Sequence, residues 1–239
     1  MTFDGAAILI TGANRGLGKA LVHEALARGV GRVYAGTRGP LGYDDDRVTA
    51  LTLDVTDPAQ VSGVVAAVDS LDVLINNAGI MHPDLPFDPD VLARHLEVNV
   101  FGTARMTQAF LPALTRSRGR VINMLSVVAL APLPMFPSYS SSKAAAFSLT
   151  KSFRALHAAD GVRFHAVLAG PIDTDMTRAL PVPKIAPADA AAAIFDAVDA
   201  GKEEIFPDVA TSALEGPWAT GADKLLEAQF AQLIPAAMG

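Results

Sequence analysis

The sequence predicts an α/β fold with a doubly wound, mostly parallel sheet of about seven strands and helices on both faces. Three observations carry this. Short β-rich runs alternate with longer helical stretches along the chain, several runs are nearly continuous in apolar residues, and the first leads through a glycine turn into a helix. Continuous apolar runs suit strands covered on both faces, because neither side of such a strand meets water. Strand–helix alternation favours parallel strands, since each crossover helix returns the chain to the same end of the sheet.

AAILIT (6–11) is the first strand, and GKALVHEALARG (18–29) reads as the helix beyond its turn. RVYAGT (32–37) is the second strand. The following RGPLGYDDDR (38–47) is too short and broken for a full helix and reads as a lean link, with Asp44–Asp46 as a solvated loop. VTALTLD (48–54) is the third strand, and DPAQVSGVVAAVDS (57–70) follows as a helix. Asp57 is its expected N-cap and Pro58 its first helical residue. DVLINNA (72–78), RVINMLS (120–126), VRFHAVLA (162–169) and EEIFP (203–207) complete the strands. The C-terminal ADKLLEAQFAQLI (222–234) has apolar residues at helical spacing, so it should close the domain or join a subunit interface.

The chain has 239 residues, 51% of them hydrophobic, with no linker-like stretch and no repeat. A single domain, 1–239, carrying both cofactor and substrate sites is the expectation. A net charge of −6 with scattered basic residues argues against a nucleic-acid partner, which would need a basic face. The absence of cysteine excludes disulfides, thiolate metal sites and cysteine nucleophiles, and fits a reducing compartment. The N-terminal MTFDGAAILITGANRGLG reads as neither a signal peptide nor a membrane span, so a cytoplasmic protein with no membrane partner is expected. His23, His82, His95, His157 and His165 share no metal-ligand spacing, and no metal is expected.

Gly12, Gly16 and Gly18 form a G-x-x-x-G-x-G turn between the first strand and its helix. Glycine permits the sharp exit, and missing side chains let backbone N–H groups at a helix N-terminus approach a pyrophosphate. An acid about 20 residues beyond the glycines would favour NAD by accepting from the ribose hydroxyls. Here the second strand ends in Gly36, Thr37 and Arg38, while Arg15 lies inside the turn. Two guanidiniums near one ribose suit a 2′-phosphate, so NADP(H) is expected over NAD(H).

In PSYSSSKAAAF (137–147), Tyr139 precedes Lys143 by four residues, which puts both on one helix face. An ammonium about 5 Å from the phenol, at an effective dielectric of about 20, favours the phenolate by roughly 3 kcal/mol, or about two pKa units. On that reckoning the lysine makes the tyrosine a usable acid and base.

TGANRGLG (11–18), LDV (53–55), NNAG (76–79), NVFG (99–102) and SVVALAPLPMFPSYSSSK (126–143) together resemble the short-chain dehydrogenase/reductase family, nearly end to end. The resemblance implies a Rossmann fold and a catalytic tetrad of Asn99, Ser126, Tyr139 and Lys143. Ser126 would donate to the substrate oxygen, Tyr139 would deliver the proton, and Asn99 would fix a water that links Lys143 to solvent. Cofactor contacts would come from Thr11, Gly12, Asn14, Arg15, Gly16, Leu17, Gly18, Arg38, Asp54, Val55, Asn77, Ala78 and Gly79. Tyr139, Lys143, Gly170, Ile172 and Thr174 would complete them. Two departures stand out: Ala169–Gly170 where the family has proline before glycine, and the short 38–47 link.

By the same resemblance, Met81, His82 and Val127–Met135 border the substrate, and Met176–Ile185 forms a short, rather open lid. These residues are mostly apolar, which points to a small apolar ketone, aldehyde or secondary alcohol. A homodimer or homotetramer through the NVFG and Y-x-x-x-K helices is implied. A non-catalytic NADP(H)-sensing regulator and an isomerase using the same tetrad remain alternatives.

Overall fold

A computed structural model describes residues 3–39 and 41–232. Seven strands form one sheet: β1 Ala7–Thr11, β2 Arg32–Thr37, β3 Val48–Thr52, β4 Val73–Asn76, β5 Arg120–Met124, β6 Arg163–Val167 and β7 Glu204–Ile205. Their order is β3-β2-β1-β4-β5-β6-β7, and every neighbouring pair is parallel. The chain moves outward from β1 to β3, then returns to place β4 on the other side of β1. That reversal opens a crevice at the C-terminal ends of β1 and β4, where the helix-bearing connections depart in opposite directions.

The helices are α1 Gly16–Ala27, α2 Pro58–Ala67, α3 Pro89–Leu96, α4 Thr103–Ser117, α5 Pro137–Leu156, α6 Pro187–Asp199, α7 Val209–Ser212, α8 Glu215–Ala219 and α9 Ala222–Ala231. Asp57 caps α2 by accepting from Ala59 and Gln60 N–H, with Pro58 at the first position, as expected. Strand alternation then sorts the core. Ile8 and Ile10 face α1 and α6, joining Leu21, Ile194 and Phe195, whereas Leu9 faces the other way with Leu74, Met106 and Phe110. All five residues of β1 are buried, which accounts for its unbroken apolar run.

Among its described residues the link between β2 and β3 contains no helix, and its work falls to single side chains. Leu41 and Tyr43 pack on the α1 side of the core. The Tyr43 hydroxyl donates to the Ala13 carbonyl at 2.6 Å, inside the glycine turn. Arg47 donates to the Leu26 and Val30 carbonyls at 3.2 and 3.4 Å and pairs with Asp45 at 2.8 Å. The expectation of a freely solvated acidic run therefore fails at Asp45, which serves to orient Arg47.

The C-terminal helix also differs from one expectation. Among the described residues α9 buries no side chain, and Leu225, Leu226 and Phe230 are 63%, 44% and 61% exposed. It does not close the core. Ion pairs tether it instead, Lys224 to Glu203 at 2.8 Å and Glu227 to Arg154 at 2.6 Å. Residues 233 and 234 of the expected helix lie outside the described residues. No helix among the described residues is long and apolar enough to cross a membrane.

Candidate active site

The crevice at the β1–β4 reversal is a cleft of about 580 Å³. Its floor is the turn after β1, where Gly12 and Gly16 have φ of +67° and +52°, values that suit glycine. At Gly18 the need is steric: a Cβ there would lie 2.1 Å from the Gly12 carbonyl oxygen and 2.7 Å from Asn77 Nδ2. The turn delivers the chain to the start of α1, which has no side-chain cap, so its first N–H groups face the cleft without a local acceptor.

Asn14, Arg15, Leu17, Arg38, Asp54, Val55, Asn77, Ala78 and Gly79 line the cleft with the three glycines. Thr11 does not; it is buried behind the wall, where its hydroxyl accepts from Asn77 and Ala78 N–H, both at 2.9 Å. Asn77 Nδ2 returns the tie to the Thr11 and Gly12 carbonyls at 2.9 and 3.1 Å. These bonds stitch the loop after β4 to the glycine turn. Arg38 approaches Asp54 at 3.8 Å, and Arg15 approaches Asp175 at 3.4 Å across the mouth. Burial works against the Asp54 charge, but hydrogen bonds from Thr56 and the nearby Arg38 and Arg105 charges hold its carboxyl below the usual range.

At the other end lie Ser126, Tyr139 and Lys143, all facing the same cleft. Ser126 ends the strand connection as the N-cap of a short turn and donates to the Ala169 carbonyl at 3.1 Å. Lys143 is 7% exposed, its Nζ donating to the Met124 carbonyl at 2.7 Å and lying 5.6 Å from the Tyr139 ring centroid. Asn99 sits behind them in a π-helical turn, Glu97–Gly102, that widens the entry to α4. Its carboxamide accepts from Ile80 N–H at 2.9 Å and donates to the Ile80 carbonyl and Ser142 hydroxyl, both at 3.0 Å. In this structure the side chain holds protein groups, and it does not line the cleft.

The electrostatic expectation for the pair is corrected. Burial pushes the Tyr139 phenol up to about 12, with its Ser126 hydrogen bond working the other way. Burial likewise pulls the Lys143 ammonium down to about 8. Counting only the attraction between the groups omitted the cost of removing both from water, and desolvation is the larger effect here.

Gly170, Ile172 and Thr174 form the third wall. Gly170 N–H donates to buried Asp208 at 2.8 Å, and Ile172 bridges Ile185 in parallel fashion. With Ala169 before it, the loop takes its path from these two ties. Met176 and Thr177, at the start of the expected lid, do line the cleft, whereas the sequence reading did not identify Asp208 or the cleft-lining Ile80 and Val98. None belongs to a motif; only the fold brings them here. Met81, His82 and Val127–Met135 do not line this cleft. Met135 is 58% exposed.

The sequence pattern of the short chain dehydrogenase family matches residues 6–183. The chain is 33% identical over 192 residues to the 3-oxoacyl-(acyl-carrier-protein) reductase FabG of Salmonella typhimurium, covering 75% of this chain and 79% of that protein. Over 192 residues it is 32% identical to Estradiol 17-beta-dehydrogenase 2 of Rattus norvegicus, covering 72% of this chain and 50% of that one. A short chain dehydrogenase from Burkholderia cenocepacia, solved in complex with NADP, matches with a TM-score of 0.87 at 38% identity, covering 98% of this chain and 100% of that one. An NADPH-bound carbonyl reductase from chicken fatty liver matches at 0.75 with 26% identity, covering 81% and 90%.

Proposed function

Because the chain belongs to the short-chain dehydrogenase family, we propose that it is an NADP(H)-dependent oxidoreductase that reduces the carbonyl of a small apolar substrate, with Tyr139 as the proton donor. The observation that carries this reading is the convergence of Ser126, Tyr139 and Lys143 on the cleft whose far end is the glycine turn. The residues suit a dinucleotide. The cradle at Gly18 has no room for a side chain, the α1 N-terminus offers unpaired donors, and Arg15 and Arg38 stand at the mouth. The NADP bound to the Burkholderia cenocepacia relative supports the choice of phosphorylated cofactor.

Bound NADPH would supply the hydride. The protein's part is to fix the acceptor and its proton. Ser126 Oγ donates to the carbonyl oxygen as negative charge builds there, and the Tyr139 hydroxyl gives up its proton to the same atom. Burial keeps the Tyr139 phenol protonated, the form that can donate to a carbonyl oxygen. Lys143, anchored on Met124, draws the phenolate charge and offers its remaining donors to the ribose hydroxyls. Asn99 fixes the loop after β4 and the Ser142 turn beside them. An apolar substrate is supported by Ile80, Leu125, Ile172 and Met176, which line the cleft from the loops after β4, β5 and β6.

Cofactor choice is tested by binding. NADPH should bind more tightly than NADH, and replacing Arg15 and Arg38 together by alanine should weaken NADPH about tenfold or more while sparing NADH. Equal binding of both nucleotides by the unaltered chain would contradict the assignment.

A further inference from the structure

Resting on that reading and going beyond it, we propose that Asp84 is a positioning residue for Tyr139, holding the first turn of α5 in place from the loop after β4. Asp84 is 4% exposed, and its hydrogen bonds among the described residues are with Ser138 and not with a cation. A buried carboxylate with no counter-charge needs strong donors. One oxygen finds them at the start of α5, accepting both the Ser138 N–H, at 3.2 Å, and the Ser138 hydroxyl, while the other has no hydrogen-bond partner among the described residues. Ser138 is itself fully buried.

The helix lacks any other cap. Phe136 is the N-cap residue and offers no side-chain acceptor, and Pro137 takes the first position. The orphan N–H groups and positive end of the helix dipole therefore meet an anion brought from 54 residues away in the chain. A serine or aspartate at position 136 could cap the helix locally. The distant carboxylate does something a local cap cannot: it joins the loop after β4 to the turn that carries Tyr139.

That loop is anchored in turn. His82 N–H donates to His95 Nε2 at 3.0 Å, and His95 Nδ1–H donates to the Val91 carbonyl at 2.8 Å. The His95 ring stands edge-on to the Tyr139 ring, with centroids 6.1 Å apart. Tyr139 is thus bounded by His95 on one side and held through Ser138 by Asp84. Lys143, a turn further on, has its own anchor on the Met124 carbonyl. Loss of Asp84 should free the tyrosine's turn and leave the lysine and the glycine turn where they are.

The test compares Asp84→Ala and Asp84→Asn, the second keeping an acceptor oxygen for Ser138. The readouts are carbonyl turnover at saturating NADPH, the NADPH dissociation constant, and amide hydrogen exchange of the peptide covering 136–142. Asp84→Ala should lower kcat about 10- to 100-fold, as a displacement near 1 Å of a reacting group does, with NADPH affinity changed by no more than about twofold. Exchange in the first turn of α5 should quicken, and Asp84→Asn should restore most of both properties. Unchanged kcat and exchange in Asp84→Ala would overturn the inference. So would a fall in NADPH affinity equal to the fall in kcat, or an asparagine variant as impaired as the alanine one. Should the unaltered chain reduce no carbonyl at all, the functional reading fails, and the exchange measurement still decides whether Asp84 holds the turn.

Discussion

At the scale of single residues, burial decides what the charges do. Tyr139 and Lys143 illustrate it at the site, and His165 illustrates it away from the site. His165 is 2% exposed, its Nδ1–H donates to the Lys202 carbonyl at 2.7 Å, and its Nε2 has no partner among the described residues. Burial, helped by the nearby arginine charges and opposed by the Lys202 bond, pulls its pKa down to about 4. The folded form therefore resists the proton that the unfolded chain accepts below about pH 6.5. Stability from this group is complete above that pH and is lost as the pH falls toward 4, by up to roughly 3 kcal/mol. Urea unfolding at about pH 7 and about pH 4.5 should show a smaller drop in His165→Phe than in the unaltered protein. Equal drops would contradict the account. None of this is legible in the sequence, where His165 is one apolar-flanked letter. Gly18 is the opposite case: its residue type and its place after the first strand already announce a close backbone approach.

At the scale of elements, strands and motif-bearing turns are legible because each depends on residue type within a few positions. Unbroken apolar runs mark strands covered on both faces, and Asp57–Pro58 marks the start of α2. The 38–47 link is legible only as a missing helix. What replaces the helix is a set of long-range ties, chiefly the Tyr43 hydroxyl on the Ala13 carbonyl. Tyr43→Phe keeps the packing and leaves the carbonyl of buried Ala13 without that donor, so it should cost about 1–3 kcal/mol in denaturant unfolding. A variant as stable as the parent would show that the link is passive. The start of α5 follows the same rule: Asp84 lies too far along the chain for any capping pattern to reveal it. Of the two roles expected for the C-terminal helix, closing the core is not met, because apolar spacing shows amphipathicity and not the surface it meets.

At the scale of the whole molecule, one parallel sheet sets the chemistry. The strand order 3-2-1-4 opens the crevice, and β5 and β6 bring Ser126 and the Gly170 loop to the same edge. The family resemblance read from five short motifs agrees with the family match over residues 6–183. The substrate was not legible, since the apolar residues that line the cleft come from three loops with no shared motif. Assembly is expected to involve the outer face of α5, where Ser141, Ala144, Ser148 and Ser152 are exposed on one side. Light scattering should then give twice or four times 24.9 kDa, and Ala144→Arg should reduce it to the single-chain mass. A single-chain mass for the unaltered protein would refute this.

The central claim is that Tyr139 supplies the proton at a site that otherwise binds cofactor without it. The most direct test follows NADPH oxidation with an apolar ketone by the unaltered protein and by Tyr139→Phe, with NADPH affinity measured in parallel. The account predicts turnover that falls about 100- to 10,000-fold in the phenylalanine variant while NADPH remains bound. A phenylalanine variant that turns over at the parental rate would contradict it.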